Sequence, residues 1–377
     1  MRSTRVRQLL IFIHSLSGGG AERVAAHLAN HWAAKGWQIT IATLAPQSLD
    51  SYQLHPKVER IALDLAGDSG NVPAAFWNNL RRIWALRQVL RQVKPQVALA
   101  IMSTANVLLA FAAQGVPGVI AIGSEHIHPP RFHLGAPWEL LRKVGYGRLA
   151  AVTALTHESA TWLQTHTHAS YVPVIPDMVV WPLPVQTPVV APAEVLPAGQ
   201  RVLLSVGRLD LQKGFDVLIE AFARLAKDHP NWMLVILGEG PLRGALEAQV
   251  KVHDLTGRVL LPGWMGNVGQ WYEHADVYAG SSRYEGFALA LAEAMAYGLP
   301  AVSFDCDVGP RDIIRHEVDG LLVPAGNLDE LTRALGRLMS ADALRARLAG
   351  RAVEARERFS LERIAGMWEQ LFEELQK

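Results

Sequence analysis

The sequence predicts an α/β protein of two doubly wound domains, and three observations carry that prediction. Short apolar runs alternate with amphipathic stretches from end to end. A proline-dense segment interrupts the alternation near the middle, and the alternation then restarts. Strands alternating with helices imply parallel sheets covered on both faces.

In the first half, Gln8–His14, Trp37–Thr43, Gln96–Ile101, Val119–Ile122 and Ala150–Ala154 read as strands. Helices are expected between them at Ala21–Lys35, Ala74–Val93, Ala105–Gln114 and Pro137–Arg148. Seven prolines then fall between Pro173 and Gly199, a density that marks a linker. Beyond it, Arg201–Val206, Met233–Leu237, Val259–Leu261, Val277–Ala279, Ala301–Phe304 and Leu321–Val323 read as strands. Helices are expected at Phe215–Lys227, Pro241–His253, Leu289–Tyr297 and Leu328–Met339, and Ser360–Gln376 reads as a last amphipathic helix. Two such sheets would face each other across a cleft, and ligands of doubly wound sheets bind at the carboxyl edges of the strands.

Composition narrows the function. The chain has 377 residues, enough for two cores. Its formal net charge of +1 gives no global field for nucleic acid. The single cysteine, Cys306, excludes an internal disulfide and suits a reducing cytoplasmic compartment. Met1–Arg7 carries three arginines before an apolar run, but that run is short and ends in glycines, so a first strand is expected and not a signal peptide. Val97–Ala113 is interrupted by Ser103, Thr104 and Asn106, so a strand and a buried helix are expected there and not a membrane span.

Three loops after strands carry chemistry. Gly18-Gly19-Gly20 precedes a helix whose free N–H groups favour a phosphate or a closely passing sugar. Arg208 and Lys213, in Gly207-Arg208-Leu209 and Gln212-Lys213-Gly214, offer a planar fork and a point charge that can converge on a diphosphate. Glu285 and Glu293 are separated by seven residues, the first in a loop and the second in an apolar helix. A helical rise over that spacing is ~12 Å, about the span from sugar to ribose in a nucleotide sugar. Gly286, Phe287 and Ala288 would present amides at the helix start, and a buried Glu293 needs a partner.

With these motifs the chain resembles glycosyltransferase family 4, whose hallmark is E-x7-E after G-R-x-x-x-x-K. Gly238-Glu239-Gly240-Pro241-Leu242, Ala294-Met295-Ala296-Tyr297-Gly298-Leu299-Pro300 and Asp319-Gly320-Leu321-Leu322-Val323 extend the likeness over nearly the whole chain. The resemblance implies a GT-B fold of two Rossmann-like domains. Residues 1–176 would form an acceptor-binding domain and 177–358 the nucleotide-sugar domain, with the helix in 359–377 crossing back to the first. It implies a retaining transferase that moves a hexose or N-acetylhexosamine from a nucleotide-diphosphate sugar, with UDP the default, and needs no metal or other cofactor.

The same resemblance implies the roles. Arg208 and Lys213 would bind the diphosphate and Glu293 the ribose. Glu285 would bind the sugar, with amides from Gly286, Phe287, Ala288 and Leu289 at the helix start. Gly263, Trp264 and Met265 would meet the base. Gly18, Gly19 and Gly20 would close over the donor, and His126 would lie near the sugar as a candidate catalytic group. The leaving phosphate itself would take the acceptor proton. Two positions depart from the family pattern: Ala288 stands where relatives often have Gly, and Asp177-Met178 where they often have Asn-Pro.

Several patterns invite other readings. Asp305-Cys306-Asp307 mimics a metal motif but follows a strand of the wrong architecture. His126 with His128 and His166 with His168 lack a matching third zinc ligand. On the helix Ala74–Val93, Trp77, Arg81, Trp84, Gln88 and Arg91 form a stripe beside the core stripe Ile83, Leu86, Leu90 and Val93. A second candidate stripe runs through Arg131, Trp138, Arg142, Lys143, Tyr146 and Arg148. Tryptophan beside arginine suits a membrane interface. The expected partners are therefore a nucleotide-diphosphate sugar and a saccharide or lipid-diphosphate-linked acceptor, met at the cytoplasmic face of the inner membrane in surface polysaccharide or glycan synthesis. The alternatives are an epimerase or phosphorylase on the same fold, or a non-catalytic sugar-nucleotide or membrane-binding module.

Overall fold

The computed structural model describes residues 7–67 and 70–377. Of the amino-terminal basic stretch Met1–Arg7, only Arg7 falls within the described residues. The chain divides into two compact units, Met1–Met178 with Leu361–Lys377, and Val179–Ser360. Asp177 and Met178, assigned to the second domain from sequence, thus belong to the first unit.

The first unit holds a six-stranded sheet of β1 (Gln8–Ile13), β2 (Gln38–Thr43), β3 (Val58–Ala62), β4 (Val97–Ile101), β5 (Ile120–Glu125) and β6 (Ala151–Ala154). Their order is β3-β2-β1-β4-β5-β6 and every pair is parallel. β1 shows why the run is apolar on both sides. Leu9, Ile11 and Ile13 enter one core cluster, and Leu10 and Phe12 enter the other. The first cluster is capped by α1 (Gly20–Ala34) and by the terminal helix Leu361–Leu375. There the Trp32 ring lies 5.7 Å from Trp37 and 5.6 Å from Phe372, and its Nε1 donates to Glu369. The other face is covered by α2 (Val72–Val93) and α3 (Ser103–Ala112), with Leu86, Leu90 and Leu108 fully buried. α4 (Ala136–Tyr146) and α5 (His157–His166) complete the unit.

Two elements here escape a reading of periodicity. β3 is an edge strand with no fully buried residue, carrying the exposed Glu59 and the half-buried Arg60. α5 is polar for most of its length and buries only Ser159, Ala160 and Leu163. β5 also runs three residues past its expected end at Ile122, so Glu125 closes the strand and His126 follows it directly.

The second unit repeats the plan with β7 (Arg201–Val206), β8 (Trp232–Leu237), β9 (Val259–Gly263), β10 (Val277–Gly280), β11 (Ala301–Asp305) and β12 (Gly320–Pro324). The order is β12-β11-β10-β7-β8-β9, again parallel. Its core joins Leu203, Leu234 and Val302 to Phe222 of the helix Phe215–Ala226 and Leu335 of the helix Leu328–Ser340. The helices Val268–His274 and Asp342–Ala352 were not expected from sequence.

The proline-dense segment, in which the boundary between the units falls, is held to each unit at separate points. Val152 and Ala154 of β6 donate to the carbonyls of Tyr171 and Pro173, and Ile175 donates back to Ala154. Further on, Gln186 and Gly266 are joined through Gln186 N–H to the Gly266 carbonyl, and Gly266 N–H donates to Pro188. Prolines in these held stretches lower the entropy of the unfolded chain.

Candidate functional site

In the second unit the neighbouring strands β7 and β10 deliver two loops to one sheet edge. The loops are stitched together. Arg283 N–H donates to the Gln212 carbonyl at 2.7 Å, Gln212 Nε2 to the Tyr284 carbonyl at 3.0 Å, and Ser281 Oγ to the Lys213 carbonyl at 2.9 Å. Arg283 also grips Asp216 with both terminal nitrogens, and that guanidinium holds the Asp216 carboxyl below its ordinary range. Gly214 makes the crossing possible. Its φ is +64°, and a Cβ there would stand 2.2 Å from the Ser281 carbonyl oxygen.

The stitched loops place Lys213 Nζ 2.6 Å from Glu285 Oε1, with 20% and 10% of the two side chains exposed. Ser282 Oγ donates to the same carboxylate oxygen at 2.6 Å. The aliphatic stem of Lys213 lies across Gly207, where even a methyl group would crowd it at 3.1 Å. Arg208 behaves differently: its side chain is 74% exposed and reaches only Asp210, at 3.8 Å. One cation is therefore held against a carboxylate and the other projects from the same strand end into solvent.

Glu285 lies in the loop and Glu293 on the buried face of the helix Leu289–Ala296. Glu293 stands 3.4 Å from the Tyr272 hydroxyl. Burial, with the charges of both glutamates behind it, raises the Tyr278 phenol far above its usual range. Both carboxylates therefore bear on Tyr278, at the base of the site. The geometry corrects the expected ~12 Å helical span between the two glutamates. Only Leu289 onward is helical, and Gly286 and Phe287 precede the helix. Ala288 is its cap in the left-handed region, at φ +66° and ψ +53°. Phe287 is buried edge-on against Phe359. The substitution of Ala for Gly at 288 is thus a strained position.

Trp264 is 49% exposed next to Gly263 and the buried Met265, leaving an open indole at the end of β9. Asp305 of the apparent metal motif is taken up by Arg311 at 2.8 Å, and burial pushes the Cys306 thiol up to about 12, helped by the charges of Glu285 and Asp307. Among the described residues no three His, Cys, Asp or Glu side chains gather as a metal site.

In the first unit Gly18 has φ +109°, and Gly19 caps α1. The Tyr52 hydroxyl receives the Gly19 N–H at 3.1 Å and donates to its carbonyl at 2.9 Å. Glu22 leans over Gly19 so closely that a Cβ would sit 2.3 Å from its carboxylate, so this helix start already faces an acid. His126 is nearly enclosed. Its Nε2 is 3.1 Å from Ser124 Oγ and its Nδ1 3.3 Å from Asp177 Oδ1. Beside it Glu125 is fully buried, bonded by Ser103 and by the Tyr146 hydroxyl at 2.5 Å, and burial raises its carboxyl above the ordinary range. His128 bonds Ser159, and His166 stacks on Trp162. Neither histidine pair forms a shared site.

On α2, Trp77 and Trp84 are 68% and 62% exposed, and Phe76 and Leu80 join them. The second expected stripe does not form, because Arg142 and Tyr146 are buried, Arg142 against Glu139 and Trp162. No helix among the described residues is long and apolar enough to cross a membrane.

Known proteins share the family models and the fold of this chain. Residues 18–180 match the model described as Glycosyltransferase Family 4, and residues 190–354 match Glycosyl transferases group 1. An exopolysaccharide phosphotransferase of Streptomyces coelicolor is 31% identical over 294 residues, 77% of this chain. The chain spans only 30% of that relative's length. A Campylobacter jejuni protein, named GalNAc-alpha-(1->4)-GalNAc-alpha-(1->3)-diNAcBac-PP-undecaprenol alpha-1,4-N-acetyl-D-galactosaminyltransferase, is 26% identical over 373 residues, 98% of this chain and 99% of its own. Among solved structures, Anabaena HepE in complex with UDP and glucose superposes with a TM-score of 0.79 at 20% identity, over 97% of this chain and 99% of that one. That likeness carries the two-domain GT-B fold.

Two substitutions test the loop geometry in opposite directions. The left-handed region costs a non-glycine residue roughly 1–2 kcal/mol, and glycine gives back roughly 0.5–1 kcal/mol through its freer unfolded chain. Ala288→Gly is therefore expected to stabilise the second unit by about 0.5–1 kcal/mol. Gly214→Ala meets both a positive φ and a backbone oxygen, and should destabilise by more than about 2 kcal/mol. Urea unfolding of both variants measures the pair; equal effects of one sign would contradict the geometry.

Proposed function

Because the chain belongs to the glycosyltransferases that join a family 4 domain to a group 1 domain, we propose that it transfers a hexosyl or N-acetylhexosaminyl group from a nucleoside-diphosphate sugar, UDP-linked in the first instance, to a saccharide carried on a polyprenyl diphosphate. Transfer proceeds with retention at the anomeric carbon and without a metal.

One observation carries the reading: Lys213 and Glu285 meet at a sheet edge where Arg208 projects unclamped. A diphosphate arriving there exchanges water for Arg208 and takes a share of the Lys213 ammonium. Glu285 is then released to accept from sugar hydroxyls. Glu293 accepts from the ribose, and the amides of Gly286, Phe287, Ala288 and Leu289 face the donor. The Trp264 indole stacks on the base, beside Gly263 and Met265. In the reaction the bond from C1 to the diphosphate oxygen breaks, and the pair of electrons leaves with the diphosphate. Arg208 and Lys213 stabilise that growing charge. The acceptor hydroxyl oxygen bonds C1 on the same face, and its proton passes to the departing phosphate oxygen.

The Campylobacter relative's name supports the lipid-linked acceptor, and with it a place in bacterial surface polysaccharide or glycan synthesis. An acceptor of that kind lies at the cytoplasmic face of the inner membrane. Phe76, Trp77, Leu80 and Trp84 of α2, with Arg81 between them, are suited to rest there: indole rings at the headgroup level and a cation toward anionic lipid. Apart from this surface, the proposal requires only the donor and the acceptor.

Turnover tests the chemistry. A panel of nucleotide sugars with a short polyprenyl-diphosphate saccharide should give product from one donor, with the donor's anomeric configuration kept by NMR. Glu285→Ala and Lys213→Ala should each lower kcat/KM by about 100-fold or more. Epimerised donor in the absence of acceptor would instead identify an epimerase, and no consumption of any donor would remove the transfer reading. For the surface, sedimentation with vesicles should show binding that grows with phosphatidylglycerol content. A Trp77→Ala/Trp84→Ala double variant should bind less while keeping turnover on a water-soluble acceptor. Equal binding by both proteins would discard α2 as the contact.

A further inference from the structure

The chain departs from the family pattern at Asp177, and the structure gives that residue a partner. Residues 171–175 run beside β6, held by the bonds from Val152 and Ala154 and by Ile175 N–H on Ala154. Ile175 and Met178 on either side are each 3% exposed and pack in the cluster beneath β1. Pro176 stiffens the turn between them. Asp177 therefore cannot swing outward. Its carboxylate is brought to the end of the neighbouring strand β5, where His126 begins the next loop.

The hydrogen bonds on the far side of His126 favour one direction. Asn106 clamps the Ser124 backbone from both sides, accepting its N–H at 3.0 Å and donating to its carbonyl at 2.9 Å. The Thr153 hydroxyl donates to Ser124 Oγ at 2.9 Å. Ser124 Oγ, accepting from Thr153, keeps its own hydrogen to offer to His126 Nε2, 3.1 Å away, a contact that either atom can donate according to the ring tautomer. A ring nitrogen that accepts leaves the proton on the other nitrogen. That other nitrogen, Nδ1, stands 3.3 Å from Asp177 Oδ1, and neither buried atom makes a hydrogen bond in this structure, so each is the other's nearest charged or polar complement. A buried carboxylate oxygen and a buried ring N–H with only each other to face gain by pairing.

We propose that Asp177 is a positioning residue: it fixes the His126 ring with the proton on Nδ1, closing a relay Thr153–Ser124–His126–Asp177 at the edge of the first sheet. Both ring nitrogens are then committed within the unit. His126 contributes a fixed ring plane and a fixed tautomer to the reaction, and the acceptor proton goes elsewhere, as the transfer mechanism requires. The kinetic part of this proposal rests on the transferase reading; the tautomer part does not.

The test uses the full chain labelled with nitrogen-15 on histidine, with His126→Gln serving only to assign the ring signals. Wild type should show His126 protonated on Nδ1. Asp177→Asn keeps an acceptor oxygen at the same place, so it should retain the tautomer and at least half of kcat. Asp177→Ala should lose the tautomer bias and lower kcat by about tenfold, with the donor KM changed less than about twofold, because the diphosphate contacts lie on other residues. Thermal melting checks that each variant is folded, and the near-isosteric Asn variant decides the matter if the Ala variant is not. An Nε2-protonated ring in wild type, an unchanged tautomer and kcat in Asp177→Ala, or an Asn variant as impaired as the Ala variant would each overturn the assignment. If wild type consumes no nucleotide sugar, the transferase reading falls while the ring signals still decide whether Asp177 holds His126.

Discussion

The contact between Lys213 and Glu285 is the constraint on which the second unit's site depends. A 2.6 Å approach of ammonium and carboxylate, each largely removed from water, persists only where its geometry is fixed. Here that geometry is built from backbone. β7 and β10 pair in parallel, and Gly214 lets the two loops cross without a side chain between them. Arg283 and Asp216 then staple one loop to the other. The pair is thus a preformed polar surface. On the proposed transfer reading a diphosphate sugar divides it, with phosphate oxygens taking the cation and sugar hydroxyls taking the anion. That exchange replaces one set of charge-assisted bonds with another and leaves neither partner stranded.

Contrast with the first unit clarifies the division of labour. Its polar residues at the sheet edge face inward and bond to one another. Glu125 is wrapped by Ser103, Tyr146 and the nearby Arg142, and His126 lies between Ser124 and Asp177. Glu125 is the satisfied centre of this buried network, whereas His126 Nδ1 and Asp177 Oδ1 face each other without a hydrogen bond. The second unit instead leaves Arg208 exposed at the strand end that carries Lys213, and Trp264 exposed after β9.

Much of the fold was legible because central parallel strands are apolar on both faces; β1 shows this residue by residue in its two clusters. The half-buried edge strand β3 and the polar helix α5 lack that signature and were missed. The site was legible as motifs and less so as geometry. Glu285 and Glu293 were singled out by spacing, yet the helix between them begins only at Leu289, because Ala288 turns through the left-handed region. A helical rise could not anticipate that. Likewise Asp177 stood out as a departure from a family pattern. Its approach to His126, 51 residues earlier in sequence, depends on the register of residues 171–175 against β6. Long-range register of this kind is set by packing and is not written in local composition. The stripe through Arg142 and Tyr146 failed for the same reason: helical periodicity marks a face but not what covers it.

Calorimetric titration of UDP and of the active UDP-sugar into wild type, Glu285→Gln and Lys213→Met tests the central claim most directly. If one ligand divides the pair, Lys213→Met weakens both ligands, whereas Glu285→Gln leaves UDP affinity within about threefold and selectively erodes the added affinity from the sugar. Unchanged affinity of both ligands in both variants would mean that the Lys213–Glu285 pair only braces the loops and that the donor binds elsewhere.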